Sequence, residues 1–176
     1  MIRRATLDDL IGIEKIYDAV HTLEEQGLTS TGWQRAIYPT VANAKMAITA
    51  EEMYIKEVDG QIVAAARFNR KQDPDYAKID WERKATANEI MVIHTLVVDP
   101  SQRGKGYAKE FMTFYEDYAI ANGCSELRMD TNERNLVARN LYKSLGFREE
   151  GVILTVFNGI EGVRLVMLEK NLISWG

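Results

Sequence analysis

Residues 93–108 read Ile93-His94-Thr95-Leu96-Val97-Val98-Asp99-Pro100-Ser101-Gln102-Arg103-Gly104-Lys105-Gly106-Tyr107-Ala108. The run from Ile90 to Val98 is apolar almost throughout, the pattern of a central strand buried on both faces. Asp99-Pro100 stops that strand, and the turn Arg103-Gly104-Lys105-Gly106 opens directly into a helix. The first N–H groups of such a helix have no internal partner and point outward with the positive end of its dipole, so they suit a phosphate or pyrophosphate. Gly104 and Gly106 let the backbone approach an anion, and Arg103 and Lys105 add charge-assisted contacts. Gly-Lys-Gly-Tyr lacks the Lys-Ser/Thr ending of a Walker A loop, and the glycines are not spaced as in a dinucleotide fingerprint. A bare strand-to-helix turn that binds nothing gives the same local pattern.

Outward from this stretch, the chain alternates strand and helix signals. Ile2 to Ala5 reads as a strand, Thr6 as an N-cap, and Leu10, Ile13, Tyr17 and Val20 as the buried stripe of a first helix. A second helix is expected from Thr40 to about Ala50. Asp59-Gly60 between two runs of strand formers is a hairpin signal. Asn69 to Asn88 is polar and irregular, a length more often functional than idle. Tyr107, Phe111, Tyr115 and Tyr118 line the helix after the turn, and Glu126 to Asp130 is a short strand. Asn132 or Thr131 then caps a helix with Ala138, Leu141, Tyr142 and Leu145 on one face and Gly146 just past its end. Val152 to Phe157 and Val163 to Lys170 pair across Asn158-Gly159. The fold class is mixed α/β, with antiparallel strands at both ends of the chain.

Composition narrows the partners. The 176 residues suit a single domain, and a formal charge of -4 lacks the basic excess that general nucleic-acid binding requires. Apolar stretches end well short of a membrane helix, and the N-terminus lacks the apolar region of a signal peptide. Cys124 is the only cysteine, and His21 and His94 are the only histidines, so no disulfide framework or cysteine-rich metal site is expected. A protein of the reducing cytoplasm that handles a small molecule, with no metal, no membrane and no nucleic acid, is the expectation.

One strand and one helix after the glycine turn comes Asn135-Leu136-Val137-Ala138-Arg139-Asn140-Leu141-Tyr142-Lys143-Ser144-Leu145-Gly146-Phe147. Together the two stretches resemble the GNAT superfamily of acyl-CoA N-acyltransferases. Arg103-x-x-Gly106-x-Ala108 fits the pyrophosphate loop of that family at every fixed position. Asn135-x-x-Ala138-x-x-Leu141-Tyr142 with Leu145-Gly146-Phe147 fits the element across the cofactor, and the order of elements matches from Ile2 to Lys170. The resemblance implies a largely antiparallel central sheet flanked by helices, with a splayed strand pair forming the acyl-CoA cleft.

It further implies that backbone at Leu96, Val97 and Val98 hydrogen-bonds the pantetheine arm of acetyl-CoA. Arg103, Gly104, Lys105, Gly106, Tyr107 and Ala108 then hold the pyrophosphate, and Asn135 positions the pantetheine. Tyr142 protonates the departing thiolate, and Glu89, His94 or a relayed water takes the proton of the attacking amine. The acceptor is an amine of a small molecule or peptide. Trp33, Tyr38, Tyr76 and Trp81 either wall its pocket or pack loops against the sheet, and Glu24 and Glu25 either attract a cation or stay solvated. Cys124 has no evident base partner and reads as an incidental thiol. A catalytically silent acyl-CoA-binding module on the same fold is the alternative. The terminal hairpin and the tail from Asn171 to Gly176, with Trp175, either pair two copies as a homodimer or cover the sheet.

Overall fold

The computed structural model describes residues 1–173; the tail residues Ser174, Trp175 and Gly176 lie outside it, and so does the pairing role considered for Trp175. The elements run β1 (Ile2–Arg4), α1 (Leu10–Glu25), α2 (Val41–Thr49), β2 (Met53–Val58), β3 (Gln61–Asn69), β4 (Ile90–Val98), α3 (Tyr107–Ala121), β5 (Glu126–Asn132), α4 (Leu136–Ser144), β6 (Arg148–Phe157) and β7 (Ile160–Asn171). All seven strands form one sheet in the order β1-β2-β3-β4-β5-β7-β6. Every neighbouring pair is antiparallel except β4 and β5, which are parallel. This is the mixed, largely antiparallel sheet with flanking helices that the sequence implied.

Three apolar clusters hold the sheet between its layers. On one face Phe111 and Tyr115 of α3 and Tyr142 of α4 pack on Phe68, Met91, Leu127 and Val166. On the other, α1 brings Ile13, Ile16, Tyr17 and Val20 against Met53, Ile55 and Val97, with α2 closing the side. Helices do not reach the rest of that second face. There the long loop between β3 and β4 folds Tyr76 and Trp81 onto Ile90, Val92, Val163, Leu165 and Met167. Burying each such aromatic contributes roughly 1.5–3 kcal/mol, so this loop does for its part of the sheet what a helix does elsewhere.

Local signals hold where they are chemical and fail where strand pairing overrides them. Thr6 begins a short 3-10 turn, Leu7–Asp9, in a capping box with Asp9 before α1 starts. Thr40 caps α2, and Gly146 adopts φ 92 just past α4. The cap of α4 is Asn135, not Asn132 or Thr131. Thr131 and Asn132 instead pair with Val166 and Leu165, because β5 runs on along β7 to the very edge of the turn.

At the closed end of the sheet, Glu126 and Glu169 are buried near Arg128, and Glu126 Oε1, Glu169 Oε2 and Arg128 Nε lack hydrogen-bond partners among the described residues. Burial and the neighbouring Glu169 charge push the Glu126 carboxyl up to about 7. The folded state therefore binds a proton more tightly than the unfolded chain, and stability falls as pH rises from about 4.5 toward 7. Glu126→Gln removes that loss but also the ion pair with Arg83 at 3.4 Å. The expected net result at pH 8 is a gain of about 1 kcal/mol, read as a higher Tm, that vanishes near pH 5. A gain independent of pH contradicts the assignment.

Candidate active site

The parallel pair β4–β5 is short. Ile90, Met91 and Val92 face Glu126, Leu127 and Arg128, and pairing stops there. Beyond this point β4 stays with β3 while β5 stays with β7, so the two strands part. The Tyr115 hydroxyl marks the closed end: it lies 2.6 Å from the Met91 carbonyl and 3.1 Å from that of Arg128, and its single proton serves both. From Ile93 onward the β5-facing edge of β4 is free, which leaves the backbone at Leu96, Val97 and Val98 beside an open slot.

A bulge shapes that edge. Ala65 pairs with Val97 and Arg67 with His94, so Ala66 faces two residues, Thr95 and Leu96. Thr95 sits at φ 54, a conformation that costs a β-branched residue of order 1–3 kcal/mol. The Tyr38 hydroxyl hydrogen-bonds Thr95 Oγ1 and helps hold it. A nearly unbroken apolar run carries no sign of such a bulge, which is why the sequence read as a plain strand.

Where β4 ends, Asp99 caps a short 3-10 turn and the chain enters the glycine loop. Gly104 and Gly106 both have φ 80, and a Cβ added at either meets nothing within 4 Å. The first hydrogen bond of α3 runs from the Glu110 N–H to the Gly106 carbonyl, leaving the N–H groups from Gly104 to Lys109 without acceptors among the described residues. Arg103 is exposed and unpaired among those residues, while Lys105 Nζ donates to Gln102 Oε1 at 2.6 Å. Tyr107 lies 5.0 Å from the Lys56 ammonium, which sits over its ring face. Ala108, half-buried in the first turn, adds no bulk in front of the loop.

Across the slot, Asn135 accepts from the Ala138 N–H at 3.3 Å and so orients the first turn of α4. Tyr142, one helix face along, is 7% exposed. Its hydroxyl makes no hydrogen bond among the described residues, yet it is not among the sealed polar atoms, so it keeps some contact with solvent. Burial and the charge of Asp130 raise the Tyr142 pKa, so the hydroxyl keeps its proton at neutral pH.

The remaining expected site residues divide. Trp33 and Tyr38 stand in the α1–α2 connection with ring centroids 6.1 Å apart, and Tyr38 packs edge-on against Phe157. Glu24 organises that connection by accepting from the Thr31 and Gly32 N–H groups at 3.0 Å, and Glu25 pairs with Arg35. Neither acid is left as a free cation trap. Tyr76 and Trp81 are core residues: Trp81 donates to the Tyr76 carbonyl at 2.8 Å, and the Arg128 guanidinium stacks 4.2 Å above the indole. The buried Tyr76 hydroxyl donates to Asp130 Oδ2 at 2.7 Å, on β5 just past its paired stretch with β4.

The two expected bases are otherwise occupied. Glu89 is half-buried, accepts from the Thr86 N–H at 2.7 Å, and has its carboxyl held low by that contact. It also precedes β4 at the end where β4 and β5 are still paired. His94 Nε2 lies 2.7 Å from Asn69 Oδ1, and burial next to the Arg67 charge pushes its imidazole down to about 4. That ring is a neutral hydrogen-bonding strut at neutral pH and a weak base. The sequence did not single out Asp130 as a site residue, because one Asp in a strand carries no local signal until its partners in space are known.

A separate cleft of about 310 Å³ lies between the α1–α2 connection, the end of β5 and the start of β7, lined by Gly32, Asn132, Glu133, Arg134, Glu161 and Arg164 among others. Gly32 adopts φ 73, and a Cβ there would stand 2.5 Å from Asn132 Nδ2, so the loop and the strand meet only because the residue is glycine. Among the described residues no group of His, Cys, Asp and Glu is placed to hold a metal ion, and no helix is long and apolar enough to cross a membrane.

A strand pair that opens beneath a glycine loop and an unpartnered helix N-terminus is the layout of the acyltransferase class that the sequence resembled. The model of the acetyltransferase (GNAT) family matches residues 15–147, and the chain belongs to that family. The streptothricin acetyltransferase of Escherichia coli is 32% identical over 76 residues, which are 43% of this chain and 44% of that protein; the chain thus spans less than half of that relative. Among solved structures, a GNAT-family acetyltransferase from Streptococcus agalactiae superimposes with a TM-score of 0.78 at 20% identity, covering 97% of this chain and 94% of its own. A Salmonella typhimurium acetyltransferase solved with its cofactor acetyl-CoA gives 0.71 at 18% identity, covering 100% and 95%. These likenesses establish the shared fold.

Proposed function

We propose that this chain is an N-acetyltransferase that moves the acetyl group of acetyl-CoA to a primary amine of a small molecule or peptide by direct attack. The observation that carries the reading is the parting of β4 from β5 just before β4 leads into the unpartnered N–H groups of Gly104 to Lys109, together with a Tyr142 hydroxyl that is neither hydrogen-bonded among the described residues nor sealed. Open space in front of both loop glycines fits a pyrophosphate, and Arg103 adds a free guanidinium. The free edge of β4 from Leu96 to Val98 supplies backbone donors and acceptors for an amide-bearing arm laid alongside as an extra strand, with Asn135 near its end.

In the reaction the amine nitrogen bonds to the thioester carbonyl carbon, and the C–S bond then breaks with its electron pair on sulfur. Tyr142 donates its proton to that sulfur, for which a phenol kept neutral by burial is suited. The aromatic pair Trp33 and Tyr38 flanks the acceptor side. A relative named for acetylating streptothricin, a small molecule, favours small amines as acceptors. The buried free thiol of Cys124 suits the reducing cytoplasm, where we place the protein.

The test is release of free CoA thiol over a panel of small amines and peptide N-termini, run beside a thermal shift with acetyl-CoA. At about 100 times Kd the ligand stabilises by roughly 2.7 kcal/mol, so a clear rise in Tm is expected. A shift with thiol release supports the enzyme. A shift with no release for any amine means a silent acyl-CoA-binding module, and no shift removes acetyl-CoA itself.

A further inference from the structure

We propose that Asp130 binds the acceptor as an ammonium ion and takes its proton during attack, with Tyr76 as the positioning residue that aims it. This deepens the acyl-transfer reading and rests on it. Asp130 lies on β5 two residues past Arg128, the last residue paired with β4, so its side chain stands where the strands have just parted. Oδ2 is held by the Tyr76 hydroxyl at 2.7 Å. Oδ1 has no hydrogen-bond partner among the described residues and is not a sealed atom, so it keeps some contact with solvent where the strands part. One oxygen fixed and the other open is the arrangement by which a carboxylate directs a lone pair at an incoming N–H.

Three tyrosines from separate elements sense the Asp130 charge: Tyr38 before α2, Tyr76 in the β3–β4 loop and Tyr142 on α4. The Asp130 charge thus raises the pKa of Tyr38 and of Tyr142 as well as that of its hydrogen-bond partner Tyr76. Asp73 on the same loop adds a like charge, Arg128 on the same face of β5 is turned to Trp81 and Glu169, and His94 on β4 is neutral. No cation among these groups pairs with Asp130, so an ammonium ion is its natural counter-charge. Burial, opposed by the Tyr76 hydrogen bond, brings the carboxyl up to about 6. A base poised there is ionised at neutral pH yet far stronger than a solvated carboxylate.

The proton count closes. The bound ammonium first gives one proton to solvent, and the free amine attacks the carbonyl carbon. The nitrogen, now positively charged, passes one proton to Asp130 as Tyr142 protonates the sulfur. Asp130 then releases its proton to solvent and Tyr142 recovers one, leaving amide and thiol.

Asp130→Asn and Tyr76→Phe test this, with kcat/KM followed from pH 5 to 9 on one acceptor so that the ionisation of the amine is common to all. Asp130→Asn is expected to lower kcat/KM about 100-fold and to abolish the acid limb near 6, with the acetyl-CoA thermal shift retained. Tyr76→Phe removes a hydrogen bond to the ionised form, so the limb moves up toward about 7. A shift of this sign is not produced by loss of packing alone. Wild-type activity in Asp130→Asn, or a limb that stays near 6 in both variants, overturns the proposal. A second arm reads the Asp130 carboxyl by carbon NMR in the wild-type protein with CoA present. Propylammonium should lower its titration midpoint, and an unmoved midpoint overturns the proposal even where no amine releases thiol. Failure of acyl transfer and failure of ammonium binding are thereby told apart.

Discussion

Tyr142→Phe is expected to lower kcat by roughly 10²–10³-fold while leaving the acetyl-CoA thermal shift within a degree or so of wild type. The substitution removes one oxygen from a side chain that is already buried against Phe147, with ring centroids 6.3 Å apart, and whose hydroxyl has no partner among the described residues. Nothing in the packing is therefore lost, and no donor is left stranded. What disappears is a proton source at the sulfur. Thiolate is a fair leaving group, which keeps the loss near the lower end of the range for general acids. An aromatic that merely packs would show no loss of turnover. The alkaline side adds a check: burial and Asp130 both raise the phenol pKa, so wild-type activity should not fall through pH 10 as a solvated tyrosine would make it fall. Turnover unchanged in Tyr142→Phe removes this residue as the acid.

The contrast between Tyr142 and His94 shows what the sequence carried and what it did not. The helical spacing of Ala138, Leu141, Tyr142 and Leu145 places Tyr142 on an inner face, and Gly146 marks the end of the helix that presents it, whereas its start at Asn135 is missed in favour of Asn132 or Thr131. Strand ends and turn glycines were equally legible: Ile90 and Val98 bound β4, and Asp59-Gly60 turns the β2–β3 hairpin. These are properties of neighbours along the chain. His94 and Glu89 were chosen by residue type beside the right strand, but a proton acceptor is made by what surrounds it in space. His94 lies against Asn69 and Arg67 of β3, and Glu89 is used up in a capping box with Thr86. Asp130 acquires its character from Tyr76, 54 residues away, and from its place just past the last paired residue of a strand separation whose starting point the sequence does not mark. Tyr76 and Trp81 were ambiguous for the same cause. A polar loop does not announce that its aromatics must cover the part of the sheet beyond the reach of α1 and α2.

Gly106→Val is expected to weaken acetyl-CoA binding by roughly a thousand-fold and to cancel the thermal shift at ligand concentrations that saturate the wild type. Two effects act, and they are separable. First, Gly106 adopts φ 80, where a β-branched residue costs about 1–2 kcal/mol of stability. Second, the new side chain projects into the open space in front of the N–H groups of Gly104 to Lys109 and holds an anion off several of them. Each charge-assisted bond contributes about 1.5–3 kcal/mol, so losing two accounts for most of the thousand-fold. Gly123→Val separates the terms. Gly123 has φ 75, also with open space at its Cβ, but follows the far end of α3, about 22 Å along a 15-residue helix. It should lower Tm by a similar amount and leave acetyl-CoA affinity intact. Gly106→Asn sharpens the distinction further, since asparagine tolerates the left-handed conformation and yet fills the same space. Near-wild-type stability with lost affinity is the pattern expected of Gly106→Asn. Affinity retained in both Gly106 variants would mean that the phosphates are held elsewhere on the chain.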